Sequence, residues 1–122
     1  MKTSYYQNRR IDPARHAVIQ TSIGHPRFPK VNYPVANWQE IMPDPEMLAM
    51  PFETYRTAYR AKLDAAGLDT IRAGLDELAE LVAPREPLLC CFEALKKPGQ
   101  FCHRIFFAEW YSEKTGIQID EL

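Results

Sequence analysis

One short segment of the sequence constrains the fold more than any other. Residues 88–92, Leu-Leu-Cys-Cys-Phe, form an unbroken apolar run between Pro87 and Glu93. Continuous hydrophobicity is what a β-strand covered on both faces requires, whereas a strand with one face in water would alternate. A helical pattern precedes this run, and that order is typical of a parallel α/β sheet. The run therefore predicts a buried strand in an α/β fold.

Three amphipathic helices are predicted from apolar side chains that recur at three- and four-residue steps. Gly67 supplies the left-handed residue that ends the first helix, and Gly116 ends the third. Asp69 is predicted to cap the second helix. The predicted ranges are 52–66, 70–83 and about 101–115.

Short β-favouring segments at 2–6 and 17–23 predict two more strands, and alternation over 117–119 predicts an edge strand. A proline-rich excursion occupies about 25–51, where Pro45 is placed to start one helical turn. Long irregular loops are uncommon in compact domains, so this segment is expected to be functional or mobile.

The length and composition fit one domain. The chain has 122 residues, of which 46% are hydrophobic and 25% charged, and both values are ordinary for a globular protein. A chain of this size needs neither disulfide nor metal to bury a core. We therefore predict a single α/β domain over 1–122, with a mostly parallel sheet flanked by helices in a Rossmann-like three-layer arrangement.

The net charge and the number of cysteines limit which partners and which cellular location we expect. The net charge is −1, so we expect no nucleic acid or membrane partner. Residues 1–30 carry six Lys or Arg against one acid. This local excess either attracts an anionic small molecule or is simply a solvated basic face. An odd number of cysteines without an export signal predicts reduced thiols and a cytoplasmic location.

The topology gathers the candidate site residues. In open parallel sheets, ligands bind beyond the carboxyl ends of the strands. The buried strand ends at Glu93, and its loop leads to Cys102, His103 and Arg104 at the start of the last helix. The first two strands are expected to bring further ligand-binding side chains to the same edge: Asn8, Arg9, Ser22 and His25.

Cys102 is the predicted reactive group, with Glu93 and His103 as catalytic partners. A thiol in the first helical turn meets the positive end of the helix dipole, which favours the thiolate, as do His103 and Arg104 beside it. Glu93 would orient His103 or act as a general base, and Arg104 would bind a phosphate or carboxylate. The alternative is structural: Cys102 is an inert buried thiol and Arg104 pairs with Glu93.

Neither a metal nor a cofactor is predicted. Adjacent Cys102 and His103 on a helix would point about 100° apart, and strand pleating sends Cys90 and Cys91 to opposite faces. The chain has no Gly-x-Gly-x-x-Gly, P-loop, Gly-x-Ser-x-Gly or Cys-x-x-Cys. Dinucleotide reductases, NTPases, hydrolase-fold esterases and thioredoxin-type redox proteins are therefore disfavoured.

Segments 3–6 (with Asn8), 22–26 and 88–93, followed by Cys102-His103-Arg104, form a distinctive set. Together they resemble the family catalogued as domain of unknown function 488. The likeness is most specific where a Cys-x-Glu strand end accompanies the Cys-His-Arg helix start.

The resemblance implies a compact α/β protein of bacteria, archaea or their viruses and names no substrate. Two segments depart from the family pattern: the loop from Glu93 to Cys102 is longer, and 26–51 differs. The implied signature residues are Cys91, Glu93, Cys102, His103 and Arg104, with Asn8 and His25 as lesser matches.

Three classes of function are open at this point. One is a small thiol- or carboxylate-dependent enzyme acting on an anionic, nucleotide-like substrate. Another is a non-catalytic binder of such a ligand that uses the helix N-terminus and Arg104. The last is an interaction module whose exposed aromatic side chains, Trp38 or Trp110, dock another protein.

Overall fold

A computed structural model describes residues 1–27 and 32–122, and its centre is a five-stranded sheet in which every neighbouring pair runs parallel. The strands are β1 Lys2–Tyr5, β2 His16–Gln20, β3 Ala36–Asn37, β4 Glu86–Cys91 and β5 Asp120–Glu121. The helices are α1 Phe52–Ala66, α2 Leu68–Val82 and α3 His103–Thr115, with 3₁₀ turns at Gln39–Ile41 and Pro45–Ala49.

Strand β4 occupies the middle of the sheet, whose order is β3-β2-β4-β1-β5. It pairs with β1 on one side, where Lys2 lies opposite Leu88, and with β2 on the other. Residues 87–91 of β4 are all buried, as its continuous hydrophobicity predicts. The parallel α/β prediction is confirmed.

Alternate side chains of the strands build the core on the two faces of the sheet. Ala17, Ile19 and Leu89 pack with apolar residues of all three helices. On the opposite face, Val18, Leu88 and Cys90 pack with Tyr6 and Ile11, which follow β1. The helices, the sheet and this covering segment form three layers.

Several predicted boundaries are wrong. Strand β2, predicted over 17–23, covers His16–Gln20, and α3, predicted from about 101, begins at His103. Helix α2 begins at Leu68, and its N-cap is Gly67 rather than Asp69. Gly67 has φ 88° and also ends α1, because a residue that tolerates positive φ lets one helix stop and the next begin immediately. The terminal edge strand lies at Asp120–Glu121 rather than at 117–119.

The proline-rich excursion contains β3 and both 3₁₀ turns, so much of it is ordered structure, including the turn predicted at Pro45. Residues 28–31 of that excursion lie outside the described residues. Among the described residues, no helix has the length and apolar character that crossing a bilayer would demand.

Candidate functional site

A pocket of about 250 Å³ lies at the carboxyl edge of the sheet, between the end of β4, the turn after β2 and the start of α3. This is where the strand-end rule places a ligand. Its polar lining comprises Ser22, Tyr55, Cys91, Glu93, Cys102 and His103. The pocket therefore brings together the end of the buried strand and the opening of the last helix.

Two cysteines meet beside this pocket. Cys91 is the last residue of β4 and Cys102 is the N-cap of α3, and their sulfurs are paired as a disulfide. Cys90 is a free thiol. The Cα atoms of Cys91 and Cys102 lie 7.6 Å apart, beyond the roughly 4.4–6.8 Å that most disulfides span, so the backbone also accommodates the two sulfurs as reduced thiols.

The backbone of Cys102 explains how neighbours in sequence share one site. Cys102 has φ −146° and ψ 150°, which is extended, and the helix begins only at His103. The predicted 100° divergence applies to two helical residues, so it does not hold here. The sulfurs of Cys91 and Cys102 and a ring nitrogen of His103 all lie within 4.8 Å of one another. The argument against a metal site from the divergence of Cys102 and His103 is therefore wrong, whereas Cys90 does pack on the other face of the sheet.

His103 is buried beneath the pocket and held at both ring nitrogens. Its Nε2 lies 3.0 Å from the Thr21 hydroxyl, and its Nδ1 lies 3.4 Å from the Cys102 sulfur. Burial, and after it the nearby charge of Arg104, lowers the pKa of His103 from 6.5 to about 3. The imidazole is therefore neutral at physiological pH, so it does not supply the positive charge expected beside Cys102.

Arg104 points away from the pocket and is 1% exposed. Its Nε and Nη2 donate to the Glu121 carboxylate at 3.0 and 2.7 Å, while Nη1 donates to the Cys91 sulfur at 2.7 Å. The predicted pairing of Arg104 with Glu93 is therefore wrong. The guanidinium favours negative charge on Cys91 instead of on Cys102.

Glu93 borders the pocket, and its carboxylate lies 3.4 Å from the Cys91 sulfur. Glu93 is exposed, so it can exchange a proton with a ligand or with water. Its contact with the sulfur places a carboxylate next to the thiol chemistry.

Of the other predicted ligand-binding residues, one lines the pocket and three do not. Ser22 lines the pocket, and its hydroxyl donates to the Gly24 carbonyl at 2.7 Å. Asn8 and Arg9 border a separate depression, where Asn8 also donates to Ser4 and is buried. His25 lies outside the pocket lining and contacts the Gln20 side chain at 3.0 Å.

Two residues of the site were not predicted: the Thr21 hydroxyl contacts Nε2 of His103, and the Glu121 carboxylate accepts from Arg104. Tyr55 of α1 forms one wall of the pocket. The periodicity of α1 identifies Tyr55 as an inward-facing side chain. No sequence signal distinguishes Glu121, because an acidic residue near a polar tail is ordinarily a solvated one.

The aromatic side chains expected to dock a partner are buried. Trp38 is 2% exposed and packs edge-to-face on Phe107, with ring centroids 5.6 Å apart. Trp110 is 1% exposed and donates to Asp64 at 2.8 Å. The premise of an interaction module built on these two residues is therefore wrong.

No family model matches the chain, and comparisons with curated proteins and with solved structures yield no match either. The resemblance to domain of unknown function 488 stays a prediction.

Proposed function

We propose that this protein catalyses thiol–disulfide exchange on a small uncharged disulfide bound in the pocket. The observation that carries the proposal is the meeting of Cys91 and Cys102, from two separate elements, at the wall of that pocket. A pair that can close into a disulfide and open again beside a binding cavity has the parts that such exchange requires.

Cys91 is the attacking sulfur in this proposal. Arg104 donates to it at 2.7 Å and stabilises negative charge on the sulfur. The Glu93 carboxylate lies 3.4 Å from the same sulfur, on the pocket side, and accepts the proton of the thiol. Cys102 is the resolving thiol, because it already contacts Cys91.

The exchange proceeds in two balanced steps. The Cys91 sulfur attacks one sulfur of the substrate disulfide, and the other half leaves and takes the proton held by Glu93. Cys102 then attacks the Cys91 sulfur of the mixed disulfide, and its proton goes to the second departing half. One substrate disulfide becomes two thiols while the protein dithiol becomes a disulfide. A low-molecular-weight dithiol then reduces the protein again.

The pocket walls favour an uncharged ligand. Among the described residues, the pocket lining includes Glu93 but no Lys or Arg. The guanidinium of Arg104 lies outside the lining and is paired with the Glu121 carboxylate. Leu48, Phe92 and Phe101 supply apolar lining. An anionic or nucleotide-like ligand would meet the carboxylate without a compensating cation, so the anionic substrate has no support at this site.

The experiment uses the reduced full-length chain and three matched variants, Cys90→Ala, Cys91→Ala and Cys102→Ala. Bis(hydroxyethyl) disulfide, which is neutral, should be reduced faster than oxidised glutathione, which is anionic. Cys102→Ala should accumulate a mixed disulfide on Cys91, seen as a mass increase in an intact-protein spectrum. Cys90→Ala, which removes the thiol on the other face, should behave as the unmodified protein.

Two outcomes would overturn the proposal. One is the failure of Cys102→Ala to trap a mixed disulfide while its circular dichroism spectrum shows a folded chain. The other is a loss of exchange in Cys90→Ala as large as the loss in Cys91→Ala.

A further inference from the structure

We infer that the reduced site binds Zn²⁺ through the sulfurs of Cys91 and Cys102 and Nδ1 of His103, and that the bound zinc holds back thiol exchange. The inhibitory role rests on the proposed function, whereas the zinc site itself depends only on the geometry. Three side chains from the end of β4 and the start of α3 supply the donor atoms.

The three donor atoms are clustered within 4.8 Å of one another. Donors at Zn–S of about 2.3 Å and Zn–N of about 2.0 Å on a tetrahedron lie about 3.5–3.8 Å apart. The two sulfurs, which are bonded to each other in the oxidised site, must therefore separate to that distance once the disulfide is reduced. Two sulfurs and one imidazole nitrogen form a set that zinc accepts with a fourth position open. The Cα separation of 7.6 Å leaves room for an ion between the sulfurs.

Thr21 sets the tautomer that a metal needs. Its hydroxyl donates its single proton to the Cys90 carbonyl at 2.9 Å. The same oxygen, 3.0 Å from Nε2 of His103, therefore accepts the Nε2 proton. The lone pair is then on Nδ1, which faces the Cys102 sulfur. A ligating histidine fixed through its other nitrogen is the usual arrangement around protein-bound zinc.

The surrounding charges balance when the ion is present. Two thiolates cancel the charge of Zn²⁺, and the buried Arg104 is already paired with Glu121. Arg104 also donates to the Cys91 sulfur at 2.7 Å, which is an outer contact of the type that steadies a metal-bound thiolate. Burying the two thiolates without a cation would cost far more.

The open fourth position lies toward the pocket, because all three ligands line it. Glu93 borders the same cavity. Zinc-bound thiolates are no longer free to attack a disulfide, so occupancy of the site suppresses exchange until the ion is removed.

The test titrates the metal-free full-length chain, kept reduced with a phosphine, with Co²⁺ and then with Zn²⁺. One equivalent of Co²⁺ should produce a thiolate-to-cobalt charge-transfer band and intense visible bands of tetrahedral cobalt, and one equivalent of Zn²⁺ should abolish both. Zinc should also slow alkylation of Cys91 and Cys102 but not of Cys90, measured by peptide mass spectrometry.

Variants separate ligands from bystanders. Cys91→Ala and Cys102→Ala should lose the charge-transfer intensity, whereas Cys90→Ala should keep it. Thr21→Val preserves side-chain shape but removes the support of His103, and should weaken zinc binding about 10- to 100-fold.

The absence of a cobalt–thiolate band in the unmodified reduced protein would overturn the inference, and so would a band that persists in Cys91→Ala. Zinc binding without disulfide exchange would leave the site standing and remove the proposed function. If the protein shows no cobalt–thiolate band and its disulfide exchange is unaffected by zinc, the zinc site is ruled out and the proposed function still stands.

Discussion

Acidification should destabilise the protein through His103. This side chain is 4% exposed, and its pKa is lowered from 6.5 to about 3, first by burial and then by the charge of Arg104. Lys62 acts in the same direction, whereas the hydrogen bond to Thr21 opposes it. The ring of Tyr59, 5.6 Å away, packs on the same imidazole. The folded state therefore binds the proton far less readily than the unfolded chain does.

The size of the effect follows from that difference in pKa. The unfolded chain begins to protonate His103 at about pH 6.5, and the folded chain does so only near pH 3. Between those values the free energy of unfolding falls by about 1.4 kcal/mol per pH unit. At pH 5 the loss amounts to about 2 kcal/mol. Above pH 6.5 the His103 contribution is constant, and below about pH 3 it changes no further.

The assay compares the unmodified protein with His103→Gln, whose amide can still donate to Thr21. Urea unfolding of the reduced, chelator-treated proteins is followed by circular dichroism from pH 8 to pH 5. Carboxylates common to both proteins cancel in the difference. Between pH 8 and pH 5, the free energy of unfolding of the unmodified protein should fall by about 2 kcal/mol more than that of His103→Gln. Parallel pH profiles for the two proteins would refute the assignment of a buried neutral imidazole.

Two further predictions concern the core that supports the site. Tyr59→Phe should lower the free energy of unfolding by about 1–3 kcal/mol in a urea titration. The reason is that Tyr59 is fully buried and its hydroxyl donates to the Ile41 carbonyl at 2.6 Å. An unchanged midpoint and slope of the titration would contradict that hydrogen bond. Gly74→Ala should be destabilising by up to about 2 kcal/mol, although alanine gains about 1 kcal/mol in helix propensity. The added Cβ would lie 2.8 Å from Nε1 of the buried Trp38, and a rise in melting temperature would show that the indole can move aside.

Much of the fold is predictable because its signals are local and strong. The continuous apolar run identifies β4, and the period of α1 gives its bounds Phe52–Ala66 correctly. The short strands are harder. Strand β3 has two residues, Ala36–Asn37, and is ordered by its pairing with β2 rather than by any pattern of its own. Such elements depend on tertiary contacts that a single sequence does not display.

The site is predictable in location and not in detail. The strand-end rule places Cys102 and Glu93 beside one cavity, as the structure does. The partners within the cavity depend on backbone angles and on distant segments. Extended geometry at Cys102 turns its sulfur toward Cys91, and Glu121 reaches Arg104 from the last strand. Neither the extended backbone of Cys102 nor the pairing of Glu121 with Arg104 can be predicted from the neighbouring residues in the sequence.

The central position of β4 has a consequence for how the chain folds as it is synthesised. In the described sheet, β1 pairs only with β4 and β5. Lys2 therefore has no strand partner until Leu88 has been synthesised. At typical translation rates of about 5–20 residues per second, that interval is about 4–17 s. Long-range parallel pairing is also intrinsically slow. Residues up to the end of β4 must therefore leave the ribosome before β1 can join the sheet, and Cys91 and Cys102 come together only after that step.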